Sequence, residues 1–143
     1  MAGYFIGVKF ASKENIKVII QKIKEIPIGT VIPKPKAKSD FLICDWGTRR
    51  GKEALIYSIP NHKNPSKPIK KGVNVDEFNL AFNQLMLYGN FNREWFDDKL
   101  KKCSNEGGCN FTTIGGIFVL LGLASYSSPA SYIKNDGLPK SAA

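Results

Sequence analysis

The chain has 143 residues, 43% of them hydrophobic and 23% charged, and its 21 Lys+Arg against 12 Asp+Glu leave a net charge of +9. This is the composition of a globular chain with enough apolar mass for a core, and it excludes a disordered or low-complexity one. The most apolar run, residues 111–124, falls short of the roughly 20 residues that span a bilayer, and three cysteines with a single histidine, at scattered spacings without two close pairs, argue against a zinc site.

Taken in chain order, Tyr4, Ile6, Val8 and Phe10 alternate with small or charged neighbours and predict a strand with one buried face. From Ser12, Ile16, Ile19, Ile20 and Ile23 fall at helical spacing, and Pro27 and Gly29 end that helix. Residues 41–46 and 54–59 read as two further strands, joined as an antiparallel hairpin by the turn sequence 47–53 and stopped by Pro60 and Asn61. Residues 63–71, with Pro65 and Pro68, read as an extended linker. The prediction for 1–72 is a small basic β-α-β-β unit ending in that linker.

In the remainder, Asn74 followed by Glu77 forms a capping-box pattern ahead of Val75, Phe78, Phe82 and Leu85, and Gly89 and Asn90 close the helix. Asn92 caps a second helix, with Phe91 set to staple against Phe96, and the helix gives way to the polar loop 104–108. A third helix from about Thr112 carries Ile114, Ile117, Phe118 and Leu121 and stops at Gly122. Short strands at 123–126 and 131–134 flank Ser127-Ser128-Pro129-Ala130, and residues 136–143 read as a flexible tail. The fold class is therefore α+β, with the β-α-β-β unit followed by three helices and a terminal hairpin.

Three helices and a closing hairpin, with Leu120-Leu121-Gly122-Leu123-Ala124 leading into the hairpin, resemble a winged helix-turn-helix domain over residues 73–135. The resemblance implies a third helix in the DNA major groove, with Thr112 and Thr113 as candidate base readers, and a wing on phosphate. This chain departs from that pattern, because residues 112–124 carry no charge. Gly115 and Gly116 inside a helix instead suit a close approach of another backbone, either the N-terminal unit or a second copy of the chain in a homodimer through this helix.

Charge divides the chain unevenly. Up to Gly72 there are 15 basic and five acidic residues, a balance of +10; beyond it six basic face seven acidic, a balance of −1. The basic residues cluster at Lys34, Lys36 and Lys38 between prolines, at Arg49, Arg50 and Lys52 in the hairpin turn, and at Lys63, Lys67, Lys70 and Lys71 in the linker, with Trp46 and Tyr57 placed to stack on a base. The expected role is DNA or RNA binding by a regulatory or accessory protein, without chemistry. An adaptor or inhibitor that meets an acidic protein surface is the alternative served by the same cations.

Catalytic patterns are sparse. Asp45 and Glu53 on neighbouring strands suggest a metal-dependent endonuclease or its subunit, yet position 55 is Leu where such a site wants Lys. There is no phosphate-cradling Gly-rich loop and no dinucleotide fingerprint, so no metal and no cofactor is expected. The odd cysteine count suits a reducing compartment and the N-terminus lacks the long apolar core of a signal peptide, so a cytoplasmic protein is expected.

Overall fold

The isoleucines at one-turn spacing do make a helix: α1, Lys13–Lys24, buries Ile19 and Ile23 and packs on α2, Val75–Tyr88, in the computed structural model, which describes residues 13–136. The strand expected at 4–10, the Ser12 helix start and the tail from 137 lie outside the described residues. Among residues 13–136 the fold is α+β, with helices set beside two small antiparallel sheets. No helix there is long and apolar enough to cross a membrane.

The first sheet has the order β1-β2-β3, formed by Leu42–Arg49, Lys52–Ile59 and Ile69–Asn74. The hairpin turn is tighter than the sequence suggests. Arg49 pairs with Lys52, leaving only Arg50 and Gly51, both at positive φ (53° and 77°), as the two-residue turn whose twist matches antiparallel strands. The segment read as a linker is corrected: its end is β3, paired to β2 from Ile59↔Ile69 to Ala54↔Asn74. Alternating lysines and Gly72 hide this strand from a hydrophobic-pattern test. β3 also runs across the division placed at 72/73, and one core contains Ile19, Tyr57, Phe78, Phe118 and Tyr132 from both sides of it.

Asn74 then caps α2 as its side chain predicts: Asn74 Oδ1 accepts from Glu77 N at 2.9 Å and Glu77 Oε1 accepts from Asn74 N at 2.8 Å. Gly89, left-handed at φ 79°, ends the helix. Asn90–Asn92 form a short strand β4 where the sequence suggested only a helix break. Helix α3, Arg93–Lys99, is capped by Asn92, and a separate short α4, Lys101–Glu106, follows it. Helix α5, Asn110–Leu120, leads into β5, Ala124–Ser127, and β6, Ser131–Lys134. The second sheet has the order β4-β6-β5, so β6 lies between the strand from the helix junction and its own hairpin partner.

α5 is the centre of the molecule. Residues 113–118 are all buried, the expected fate of a helix that is apolar around its whole circumference. The chain itself fills the space beside its two glycines: a Cβ at Gly115 would collide with the Tyr132 ring, and one at Gly116 would stand 2.5 Å from the Pro33 carbonyl oxygen. Of the two close approaches expected at these glycines it is the chain's own, by Ile32 and Pro33 of the N-terminal part and by Tyr132, that fills this face, so a second copy does not pack on it.

Candidate nucleic-acid interface

The three strands run between two ends of the first sheet, and the sequence puts cations at both. At one end lies the turn with Arg49, Arg50 and Lys52. At the other, the loop 33–40 enters β1 and the loop 60–68 joins β2 to β3.

At the hairpin end the arginines are committed internally. The Arg50 guanidinium grips both oxygens of Glu77, at 2.5 Å from Nε and 2.8 Å from Nη2, and reaches Glu106 at 2.5 Å and the Gly72 carbonyl at 2.8 Å. Arg49 Nε holds the second Glu106 oxygen at 3.0 Å. Hydrogen bonding to Glu77 raises the Arg50 pKa against the opposing effect of burial, so the cation is permanent. Burial pushes the Glu106 carboxyl upward, and the hydrogen bonds from Arg50 and Arg49 outweigh it and hold the carboxyl below its ordinary range. The expectation that Arg49 and Arg50 stand free for phosphate is corrected: two carboxylates from α2 and α4 consume them. Lys52 is exposed and lies 3.8 Å from Asp76.

The endonuclease pattern fares no better. Register pairs Asp45 with Ile56 and Glu53 with Thr48, which sets the two carboxylates on opposite faces of the sheet. Glu53 is in fact the partner of Lys24 at 3.0 Å, and Asp45 Oδ1 accepts from the Trp46 backbone N–H at 2.7 Å. Trp46 is partly buried with the Lys24 ammonium 5.3 Å from its ring centre. Tyr57 is fully buried, its hydroxyl donating to Asn110 Oδ1 at 2.5 Å and lying 3.2 Å from Cys109 Sγ; burial raises its pKa. That corrects Tyr57 as a stacking platform.

At the opposite end the loops fold toward each other. A bridge between Val31 and Leu42 closes loop 33–40, which turns back at Lys36 (φ 61°) instead of extending as its prolines suggest. Loop 60–68 is organised by Asn61, whose side chain accepts from Lys63 N at 3.1 Å and donates to Lys67 O at 3.0 Å. Ser39 Oγ and His62 Nε2, 3.2 Å apart, join the two loops across the gap. Together, residues 33–41 and 60–71 carry seven lysines and one acid, Asp40. Lys36, Lys38, Lys63, Lys67 and Lys70 are exposed and make no ion pair among the described residues.

Between the loops and the start of α5 lies an open depression of about 330 Å³. Lys34 and Thr112 form its inner wall. The Lys34 ammonium donates to the Cys109 carbonyl (2.8 Å), Thr112 Oγ1 (2.8 Å) and Thr113 Oγ1 (2.7 Å), and stands 4.3 Å from the centre of the Phe41 ring and 5.3 Å from that of Tyr57. Burial lowers its pKa to about 7, with Cys109 opposing and Arg93 adding to the shift. Thr112 and Thr113 are thus acceptors for Lys34, and Thr113 is fully buried, which corrects both as base readers. Lys71 is likewise tied down, donating to the Glu106 carbonyl at 2.7 Å.

Ser39, Phe41, Ile59, Pro60 and His62 line this mouth without having been singled out by sequence. The pairing Leu42↔Ser58 at the strand ends is the signal that brings 39–41 beside 59–62. Fold and site together define an α+β protein with a mouth at one end of a three-stranded sheet, lined by Lys34, Lys38 and His62 between two lysine-bearing loops. No protein-family model, curated protein or solved structure matches the chain.

Proposed function

We propose that the chain binds nucleic acid without chemistry, holding backbone phosphates with the lysines around the mouth. The observation that carries this reading is that four exposed lysines, Lys36, Lys38, Lys63 and Lys67, make no ion pair among the described residues and sit on two loops tied by Ser39 and His62, while the arginines of the other end are held by carboxylates. Ordered loops hold the charges in a fixed pattern, which lowers the entropic cost of engaging a polyanion. The C-terminal part, α2-β4-α3-α4-α5-β5-β6, keeps the helices-then-hairpin order on which the winged-helix resemblance rests, with four helices in place of three. Its last helix, α5, serves as a buried support for Lys34, because residues 113–118 are enclosed and cannot present a face to a groove.

The test is a salt titration of labelled duplex DNA, single-stranded DNA and RNA. Replacing Lys36, Lys38, Lys63 and Lys67 by Ala is expected to weaken binding and to make the log–log salt slope shallower by about 0.9 per lost duplex contact, or about 0.7 on a single strand. Lys52→Ala is expected to leave both nearly unchanged. Equal affinity and slope in the fourfold variant would remove the mouth from the interface.

A further inference from the structure

The lysines explain attraction to phosphate; they do not explain the wall they surround. Pro35, Phe41, Ile59 and Pro60 give the depression an apolar side, while Lys38 and His62 stand at the same cavity. Phosphate alone gains nothing from four apolar side chains. A stacked duplex keeps its base faces inward and offers such a wall only sugar and phosphate. An unpaired nucleotide has both parts the cavity asks for, a flat apolar base face and an anionic backbone beside it.

The size agrees. About 330 Å³ lies at the small end of the roughly 300–1,000 Å³ typical of ligand clefts, enough for one nucleotide and too little for a base pair with its backbone. The floor is also rigid. Phe41 is stacked on buried Tyr57 with ring centres 6.1 Å apart and planes at 19°, and Lys34 is pinned beneath by three hydrogen bonds. A preformed wall of this kind binds a base without first having to order itself.

We infer that the mouth is a single-strand site, in which one unpaired nucleotide places its base against Pro35, Phe41, Ile59 and Pro60 and its flanking phosphates on Lys38, His62 and the rim lysines. The inference rests on the nucleic-acid reading above and narrows it to strands with an accessible base. Sequence preference is not required of such a site, since every base has an apolar face.

The experiment compares fluorescence anisotropy of labelled 12-nucleotide probes at one salt concentration: a single DNA strand, the RNA of the same sequence, the DNA duplex, and a DNA strand whose central positions are abasic. Single strands are expected to bind roughly tenfold more tightly than the duplex, and the abasic strand to lose most of that advantage. Whichever of DNA and RNA binds better identifies the natural backbone. Ala37→Trp, at an exposed position on the cavity, puts an indole where the base would lie and removes no charge. It is expected to abolish the single-strand preference while keeping the salt slope, with its fold checked by circular dichroism. Equal binding of all four probes, or an unchanged preference in a folded Ala37→Trp, overturns the base pocket and leaves the phosphate interface standing. No binding of any probe overturns both.

Discussion

Gly116→Ala separates the packing of α5 from ordinary helix energetics, because the two give opposite signs. In an open helix interior this substitution stabilises by about 1 kcal/mol, as Ala loses less backbone entropy on folding. Here the new Cβ would stand 2.5 Å from the Pro33 carbonyl oxygen and 2.6 Å from Ile32 Cγ2, against the ~3.5 Å or more of normal contact. Something must move by about an ångström, and the neighbours are poorly free to do so. Ile32 N–H is bonded to the Phe41 carbonyl at 2.8 Å, and Lys34 is anchored by three hydrogen bonds on the far side of Pro33. Overpacking of a rigid site costs about 1–3 kcal/mol, so taking its upper end and subtracting the propensity gain leaves a net loss of roughly 2 kcal/mol. For a chain of this length that is a fall in Tm of about 6 °C. Thermal melting and urea titration read it directly, and Gly116→Arg should prevent stable folding. A Gly116→Ala protein that melts at or above the wild-type temperature would refute the close packing of loop 33–40 on α5, and with it the wall that Lys34 builds.

Three further outcomes follow from the same contacts. Arg50→Ala removes the cation shared by two mostly buried carboxylates and should cost roughly 3 kcal/mol in urea unfolding with little change in nucleic-acid affinity; the reverse pattern would return the hairpin to the interface. Lys34, lowered from 10.5 to about 7, binds fewer protons folded than unfolded across that window, so stability should rise as pH climbs from about 7 toward 10.5. Lys34→Met should flatten the Tm-against-pH curve there, and an equally steep curve in the variant would assign the effect elsewhere. With Mg²⁺ or Mn²⁺ the protein should leave plasmid DNA and RNA intact, and cleavage abolished by Asp45→Asn or Glu53→Gln would reinstate those carboxylates as metal ligands.

What was legible in the sequence was local chemistry. The Asn74–Glu77 capping box, the Asn92 cap, the left-handed Gly89 and the isoleucine stripe of α1 each act through neighbours within one or two turns, and each formed as its residues dictate. Elements stabilised from a distance were not legible. β3 has lysines where a buried strand would show apolar residues, and it exists because β2 offers it a full edge. β4 is three residues long and is defined by its partner β6, which pairs Phe91 with Tyr132 far along the chain. The break between α3 and α4 falls at Leu100, with φ −120° and ψ 51°, where no Gly or Pro marks it and where the side chain is drawn into the core.

The same distinction governs the site. By composition the hairpin tip was as good a phosphate binder as the two loops, and a count of charges could not rank them. Their difference comes from Glu77 and Glu106, which lie 27 and 56 residues beyond Arg50 in the half of the chain whose charge balance is −1. The C-terminal half thus acts on the electrostatics of the N-terminal half without contributing a cation to the mouth. Its carboxylates fasten the hairpin end to α2 and α4, and at the other end the Cys109 carbonyl, just before α5, and two threonine hydroxyls of α5 receive Lys34. The hairpin-end arginines are thus paired with carboxylates, while the lysines of the two loops at the opposite end of the sheet make no ion pair among the described residues.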